Sequence, residues 1–218
     1  MRTERKFLID PSEENPIRLF LLSNRCKEIY SERIVSSLYY DTQSKNLYLD
    51  SMDGISNRHK LRVRFYDLDP NKYQIEIKNK YAELNSKSYL DINKIPEGEF
   101  LQVKTNTRLN FKSNLTIPSK INSIYIPTSF VSYSRRYYLC EVSQTRFTID
   151  SAIIFAKINN KKNHILIGHS KPYSKSVLEI KNDENTLQNL YLIREITNSF
   201  NLIYSRSSKY CESISFFN

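Results

Sequence analysis

Glycine is nearly missing from this 218-residue chain: three occur, at positions 54, 98 and 168. So few exclude a glycine-rich loop that cradles phosphate, and with it the P-loop and the dinucleotide-binding turn. Tryptophan is absent, and Cys26, Cys140 and Cys211 form an odd set without CxxC spacing. Neither a disulfide framework nor a zinc site follows from that spacing, and reduced, buried thiols are expected. No apolar run approaches the roughly 18 residues of a membrane span, and the opening MRTERKFLID has no apolar h-region. The expected location is the cytoplasm, with any attachment to the inner face of a membrane supplied by a membrane-protein partner. There is no internal repeat or low-complexity linker, so a single domain over residues 1–218 is expected.

What the chain does have is aromatic bulk and positive charge: 16 Tyr, 11 Phe and a formal net charge of +10. The aromatics supply surface to bury, and the charge points to an anionic partner without choosing among nucleic acid, acidic membrane and phosphate compounds. The choice depends on where the cations fall, and here they recur every second residue within strand-like segments. Expected strands cover 2–9, 34–40, 58–66, 72–80, 86–92, 129–140, 143–155 and 175–182, and the segment INNKKNHILIGHS could add another. The segment DLDPN reads as a hairpin turn on account of its Pro and Asn. Helices are expected at 11–23, behind Asp10 and Pro11, and at 185–200, with Leu187, Leu190, Tyr191, Ile193, Ile196, Thr197 and Phe200 on one stripe. A weak helical spacing covers QSKNLYLDSM, and residues 93–127 read as a helical excursion with loops.

Side chains at i and i+2 of a strand share a face. Arg58, Lys60, Arg62 and Arg64 therefore stand together, opposite His59, Leu61, Val63 and Phe65. Glu76, Lys78 and Lys80 oppose Tyr73, Ile75 and Ile77. Arg2, Glu4 and Lys6 oppose Phe7 and Ile9, Glu179 and Lys181 oppose Leu178 and Ile180, and Arg146, Thr148 and Asp150 oppose Phe147 and Ile149. An ordinary sheet with one wet face gives such alternation. Several adjacent cationic strands ask for more, because like charges directly opposite one another are destabilising unless an anion neutralises them. A carboxylate two residues from a lysine, as in Glu4/Lys6, Glu76/Lys78 and Glu179/Lys181, could hold a divalent cation beside ligand oxygens; simple salt bridging gives the same spacing. The fold expected from these faces is α+β: a closed antiparallel barrel of about eight strands with a polar lumen and helices packed outside. Its basic and acidic side chains would converge on one enclosed anion path.

Several segments, in order, carry a resemblance: RTERKFLI at 2–9, SLYYDT, NRHKLRVRFY at 57–66, QIEIKNK at 74–80, SYSRRYY at 132–138, TRFTID at 145–150, VLEIK at 177–181 and SRSSKY at 205–210. The chain resembles a VTC domain, the polyphosphate-polymerase branch of the triphosphate tunnel metalloenzymes, over nearly its whole length. The resemblance implies transfer of the ATP γ-phosphoryl group to a polyphosphate chain, supported by Mn²⁺ or Mg²⁺. It implies phosphate contacts from Lys6, Arg62, Arg64, Lys78, Arg135, Arg146 and Lys209, with Lys60, Lys87 and Lys181 as additions. Arg62, Arg64, Lys78 and Glu179 are the implied catalytic set. Glu179 is the first candidate for metal ligation, and Glu4 and Glu76 would support the metal or orient basic neighbours. Arg2 stands where the related CYTH hydrolases carry the first Glu of ExExK, which disfavours hydrolysis. Two rivals keep the same faces: a hydrolase of triphosphate or nucleoside triphosphate, and a non-catalytic module holding polyphosphate or RNA. For RNA, Tyr66, Tyr73, Tyr81, Tyr137 and Tyr138 could stack bases, though such tyrosines more often pack, and ATP with polyphosphate or triphosphate is preferred over nucleic acid.

Overall fold

The structure is a computed structural model describing residues 3–82, 84–90, 102–104, 108–110, 115–116, 124–161, 164–182 and 187–217. Its strands are β1 (Thr3–Ile9), β2 (Cys26–Asp41), β3 (Asn57–Tyr66), β4 (Asp69–Tyr81), β5 (Leu84–Leu90), β6 (Gln102–Lys104), β7 (Arg108–Asn110), β8 (Leu115–Thr116), β9 (Ile124–Cys140), β10 (Thr145–Lys161), β11 (His164–Pro172) and β12 (Ser176–Asn182). Its helices are α1 (Glu14–Ser23), α2 (Asn46–Met52), α3 (Leu187–Ser199) and α4 (Lys209–Ser215), with a 3-10 turn at Pro11–Glu13.

The expected barrel closure is not found. Among the described residues the hydrogen-bonded order is the open path β5-β4-β3-β2-β9-β10-β11-β7-β6, with β1 joined through β12 to β10 and β8 to β9. Strand length explains the branching. At 17 residues β10 is far longer than its five-residue pairing with β12, Arg146–Asp150 against Val177–Lys181, so it can serve more than one neighbour along its length. The sheet forks where a closed barrel would give each strand only two partners.

Contacts divide the chain into two compact units. The first comprises Met1–Ile34, Tyr133–Ile153 and Pro172–Ser207, and the second Val35–Ser132, Ile154–Lys171 and Ser208–Asn218. In the first unit the apolar faces of β1, β10 and β12 (Phe7, Ile9, Phe147, Ile149, Leu178 and Ile180) form a core with Ile17 and Leu21 of α1 and Leu192, Ile193 and Ile196 of α3. Each such side chain, fully buried, contributes roughly 1.5–3 kcal/mol. The alternation therefore identified the core face correctly, and the two expected helices do cover it. The α3 stripe differs in detail: Leu190 and Tyr191 are exposed, and the buried set is Leu192, Ile193 and Ile196 with Phe200 packed alongside. At α1 the turn begins as expected, with the Asp10 backbone N–H donating to Glu13 Oε2 at 2.8 Å. Cys26 and Cys140 are free and sit in this core, where burial pushes the Cys26 thiol up to about 12.

In the second unit Leu61, Val63 and Phe65 of β3 and Ile75 of β4 pack with Leu38, Tyr40, Leu47, Tyr125, Phe130 and Ala156. Cys211, also free, is buried here. The β3–β4 turn is tighter than the expected DLDPN: Asp67 and Leu68 alone connect the strands, both with positive φ (53° and 58°). This two-residue turn matches the strands' twist, and it leaves Pro70 near the start of β4, where a missing N–H is tolerated. The expected helical excursion at 93–127 contains, wherever described, short strands, and Pro96 and Pro118 lie outside the described residues. Strand β2 begins at Cys26, eight residues before expectation, through the charge-rich segment KEIYSER.

Candidate functional site

Register in the second unit aligns the charged side chains in rows across β2, β3, β4 and β5. One row runs Tyr39, Arg62, Glu76, Tyr89; the next pairs Lys60 with Lys78 and Lys78 with Lys87; a third joins Ser37, Arg64 and Gln74. Three lysines directly opposite one another is an arrangement that cross-strand repulsion penalises. Glu76 is the carboxylate of these rows. It is 1% exposed, with Oε2 at 2.6 Å from Arg62 Nη2 and 3.9 Å from Arg64 Nη1, and Oε1 at 2.6 Å from Lys87 Nζ. Burial alone would raise its pKa, but Arg62, Arg64 and Lys87 outweigh that and hold it at about 2. Both of its oxygens are engaged, so Glu76 is a counter-ion to three cations.

Tyr39, buried, accepts a hydrogen bond from Arg62 Nη1 at 3.3 Å and stacks on Tyr210 with ring centroids 5.0 Å apart. Burial opposes ionisation of its phenol, yet Arg62, Arg64 and Lys209 together shift the pKa downward. Arg64 Nε donates to Ser37 Oγ at 3.3 Å, and Lys60 Nζ donates to Ser208 Oγ at 2.7 Å, the hydroxyl that also caps α4. His59 points the other way, to Tyr125 Oη at 3.1 Å, and burial lowers its pKa.

The first unit carries a second polar face on β1, β12 and β10. Its rows are Glu4, Lys181, Arg146 and Lys6, Glu179, Thr148. Opposite charges face each other between β1 and β12 in both rows, each pair contributing roughly 0.2–1 kcal/mol. Glu179 Oε1 lies 2.6 Å from Lys181 Nζ and Oε2 lies 3.6 Å from Arg135 Nη2, while Lys6 reaches Glu4 Oε1 at 3.0 Å. Burial pushes the Glu179 pKa up, but Lys6, Lys181 and Arg135 carry it well below the usual carboxylate range. Arg135 forks onto the fully buried Asp150, its Nη2 at 2.7 Å from Oδ2, and lies 5.2 Å from the Tyr133 ring centroid. Burial would lower the Arg135 pKa; Asp150 chiefly, then Tyr133 and Glu179, raise it instead.

The structure thus groups Lys60, Arg62, Arg64, Glu76, Lys78 and Lys87 on one face, and Glu4, Lys6, Arg146, Glu179 and Lys181 with Arg135 on the other. Lys209 opens α4 close enough to Tyr39 to shift its pKa, whereas Arg146 is exposed. Arg2 lies outside the described residues. Tyr39, Ser37, Asp150 and Ser208 were not among the expected site residues. Asp150 had a signal, its place two residues from Thr148 in an alternating strand; Tyr39 had none, because Leu38, Tyr39 and Tyr40 are uniformly apolar and only register shows which meets Arg62. Among the expected base-stacking tyrosines, Tyr138 is buried in the first core and Tyr137 packs edge-on against Tyr30.

Among the described residues no three His, Cys, Asp or Glu side chains gather as a metal cage. A hard divalent ion that arrives on phosphate oxygens needs only one or two carboxylates from the protein. Glu179, held ionised, and Glu4 on the neighbouring row are carboxylates of the right chemistry for such an ion, and here their oxygens face Lys181, Arg135 and Lys6.

A family model described as the VTC domain matches residues 1–218. Among solved structures the chain is similar to a candidate adenylate cyclase from Bacillus halodurans, at TM-score 0.55 and 13% identity, covering 95% of this chain and 94% of that one. It is similar at TM-score 0.52 and 13% identity to a candidate adenylate cyclase from Vibrio parahaemolyticus, with 98% and 97% covered. A third, from Hippeastrum, is a candidate adenylyl cyclase whose dominant activity is that of a triphosphatase, at TM-score 0.52 and 13% identity, with 99% and 96% covered. At this identity the likeness concerns the fold. No curated protein matches the sequence. No helix among the described residues is long and apolar enough to cross a membrane.

Proposed function

The chain belongs to the VTC domain family, and on that premise we propose that it transfers the γ-phosphoryl group of ATP to the end of a polyphosphate chain. In this reaction a terminal oxygen of the acceptor attacks the γ-phosphorus, the bond from that phosphorus to the β–γ bridging oxygen breaks, and ADP leaves with the bonding electrons. The transition state is loose, so it is stabilised chiefly by alignment and by cations around the equatorial oxygens, and no protein nucleophile is needed.

The observation that carries this reading is the row Lys60, Lys78, Lys87 beside Arg62 and Arg64, five cations that the strand register sets side by side, with Glu76 the one carboxylate in those rows. A chain of phosphates brings repeated negative charge to match such a row. Arg62, Arg64 and Lys78 take the reacting phosphates, with Lys60, Lys87 and Lys209 contributing further charge; Glu76 holds Arg62 and Lys87 in place. Lys6, Arg135, Arg146 and Lys181 are assigned to phosphate contacts in the first unit. Glu179, with Glu4 in support, would hold Mn²⁺ or Mg²⁺. That ion, when bound, would neutralise the phosphate oxygens it meets.

The third structural relative's triphosphatase activity favours one rival specifically, transfer of the same phosphoryl group to water. Incubation of the purified protein with ATP and Mn²⁺ separates them: both give ADP, but polymerisation places the phosphoryl group in long chains and hydrolysis releases it as orthophosphate. Neither chains nor released phosphate would defeat both enzymatic readings.

A further inference from the structure

The guanidinium of Arg62 is gripped from both sides. Toward β4 its Nε and Nη2 both donate to a single atom, Glu76 Oε2, each at 2.6 Å. Toward β2 its Nη1 donates to Tyr39 Oη at 3.3 Å. Two bonds into one oxygen let a planar guanidinium rock about that oxygen, whereas a bond from the opposite edge fixes its plane. How firmly Arg62 is aimed therefore depends on what holds Tyr39.

Tyr39 is buried, and its ring lies on the ring of Tyr210 in α4, with centroids 5.0 Å apart and planes 23° from parallel. Aromatic pairs at this separation attract beyond the gain from burial alone. Tyr210 is itself fixed: it is buried, its hydroxyl donates to Asp41 Oδ2, and its ring meets that of Tyr48 edge-on at 6.4 Å. Asp41 is an immobile anchor, because its buried carboxylate also accepts the backbone N–H groups of Thr42, Leu47 and Tyr48 at 2.7, 2.9 and 2.9 Å, the last two in the first turn of α2. All of these groups belong to the second unit. Packing does not require the Tyr210 hydroxyl, since phenylalanine fills the same volume and stacks as well. The hydroxyl adds a fixed position for the ring.

We infer that Tyr210, anchored by Asp41, is a positioning residue: it acts through Tyr39 to fix the plane of the Arg62 guanidinium and makes no contact with substrate itself. This rests on the phosphotransfer reading for what Arg62 binds, and goes beyond it by giving α4 a part in aiming that arginine. A donor displaced by a fraction of its bond length meets a phosphate oxygen poorly, so aim is reflected in affinity.

The test uses the full chain and inorganic triphosphate, titrated calorimetrically. Tyr210→Phe keeps the stacked ring and leaves Asp41 its backbone bonds. Its Kd should rise about fivefold in the otherwise wild-type chain and less than twofold in an Arg62→Ala chain, because the effect passes through Arg62. Ser215→Ala, which removes a contact of the same helix to Tyr48 Oη, should leave the Kd unchanged. An unaltered Kd for Tyr210→Phe overturns the inference, and so does the same fivefold loss in both backgrounds, since the hydroxyl would then serve the fold generally. A second measurement needs no ligand: rotation of the Arg62 guanidinium, read by nitrogen NMR from the signals lost in Arg62→Ala, should be restricted in the wild type and faster in Tyr210→Phe. Equal rotation in the two chains overturns the inference. A wild-type chain that ignores triphosphate defeats the phosphotransfer reading instead, and the rotation rates then decide the role of Tyr210 by themselves.

Discussion

The two units solve the same problem, burial of many charges, in different ways. In the first, the cations Lys6, Arg135, Arg146 and Lys181 stand among the carboxylates Glu4, Asp150 and Glu179; β1 and β12 set opposite signs face to face, and the like pair Arg146 and Lys181 across β10 and β12 has Glu4 in its row. In the second, lysine faces lysine across three strands and Glu76 serves several cations at once. The difference teaches that register decides how charge is shared: carboxylates alternate with cations across β1 and β12, whereas across β3, β4 and β5 like signs meet and one carboxylate is divided among several cations.

The strongest way to break this comparison is to strip the second unit. Arg62→Ala with Arg64→Ala should weaken triphosphate binding about a thousandfold, roughly 4 kcal/mol, by calorimetry; wild-type affinity would mean these guanidinium groups serve Glu76 and not phosphate. Acid probes the same ion cluster. The Glu76 carboxyl falls from the usual 4.5 to about 2 on folding, so its stabilisation is complete above pH 4.5 and disappears as pH falls toward 2. Roughly 3 kcal/mol should be lost across that window, read from urea unfolding, and Glu76→Gln should flatten the profile. A curve that the variant leaves unchanged would assign acid sensitivity elsewhere.

For the first unit, Glu179→Gln should cut turnover about a hundredfold, measured at a temperature where the variant remains folded, while triphosphate affinity stays within a few-fold; the Tm should fall as well, because Lys6, Lys181 and Arg135 lose a buried counter-charge. If the loss appears in Tm and not in rate, this face is a structural ion network. The smallest effect is the sharpest in sign: Lys78→Met should weaken triphosphate binding about tenfold, yet leave the unliganded Tm equal or slightly higher, because it relieves the lysine row. A lower Tm would show that the row is not under repulsive load.

Legibility in the sequence followed the range of the interaction. Period-two alternation placed Leu61, Val63, Phe65, Phe147 and Ile180 on core faces and their neighbours on the polar faces, because a strand's two sides are fixed locally. Register was hidden, and with it the opposition of Lys60 to Lys78 and of Glu179 to Thr148. The forked sheet was hidden too, since nothing in the residues of β10 tells how many neighbours a long strand will take. The Asp67–Leu68 turn was misread for a different reason: strand twist forced two ordinary residues to positive φ where proline and asparagine next door gave the stronger local signal.

The three cysteines give each unit its own reporter. Cys26 and Cys140 lie in the core of the first unit and Cys211 is buried in the second. A thiol held near a pKa of 12, as at Cys26, is almost never a thiolate at neutral pH, so alkylating reagent must wait for the surrounding residues to part. The rates at which the individual sulfurs become labelled therefore time the breathing of each half separately, with no probe introduced.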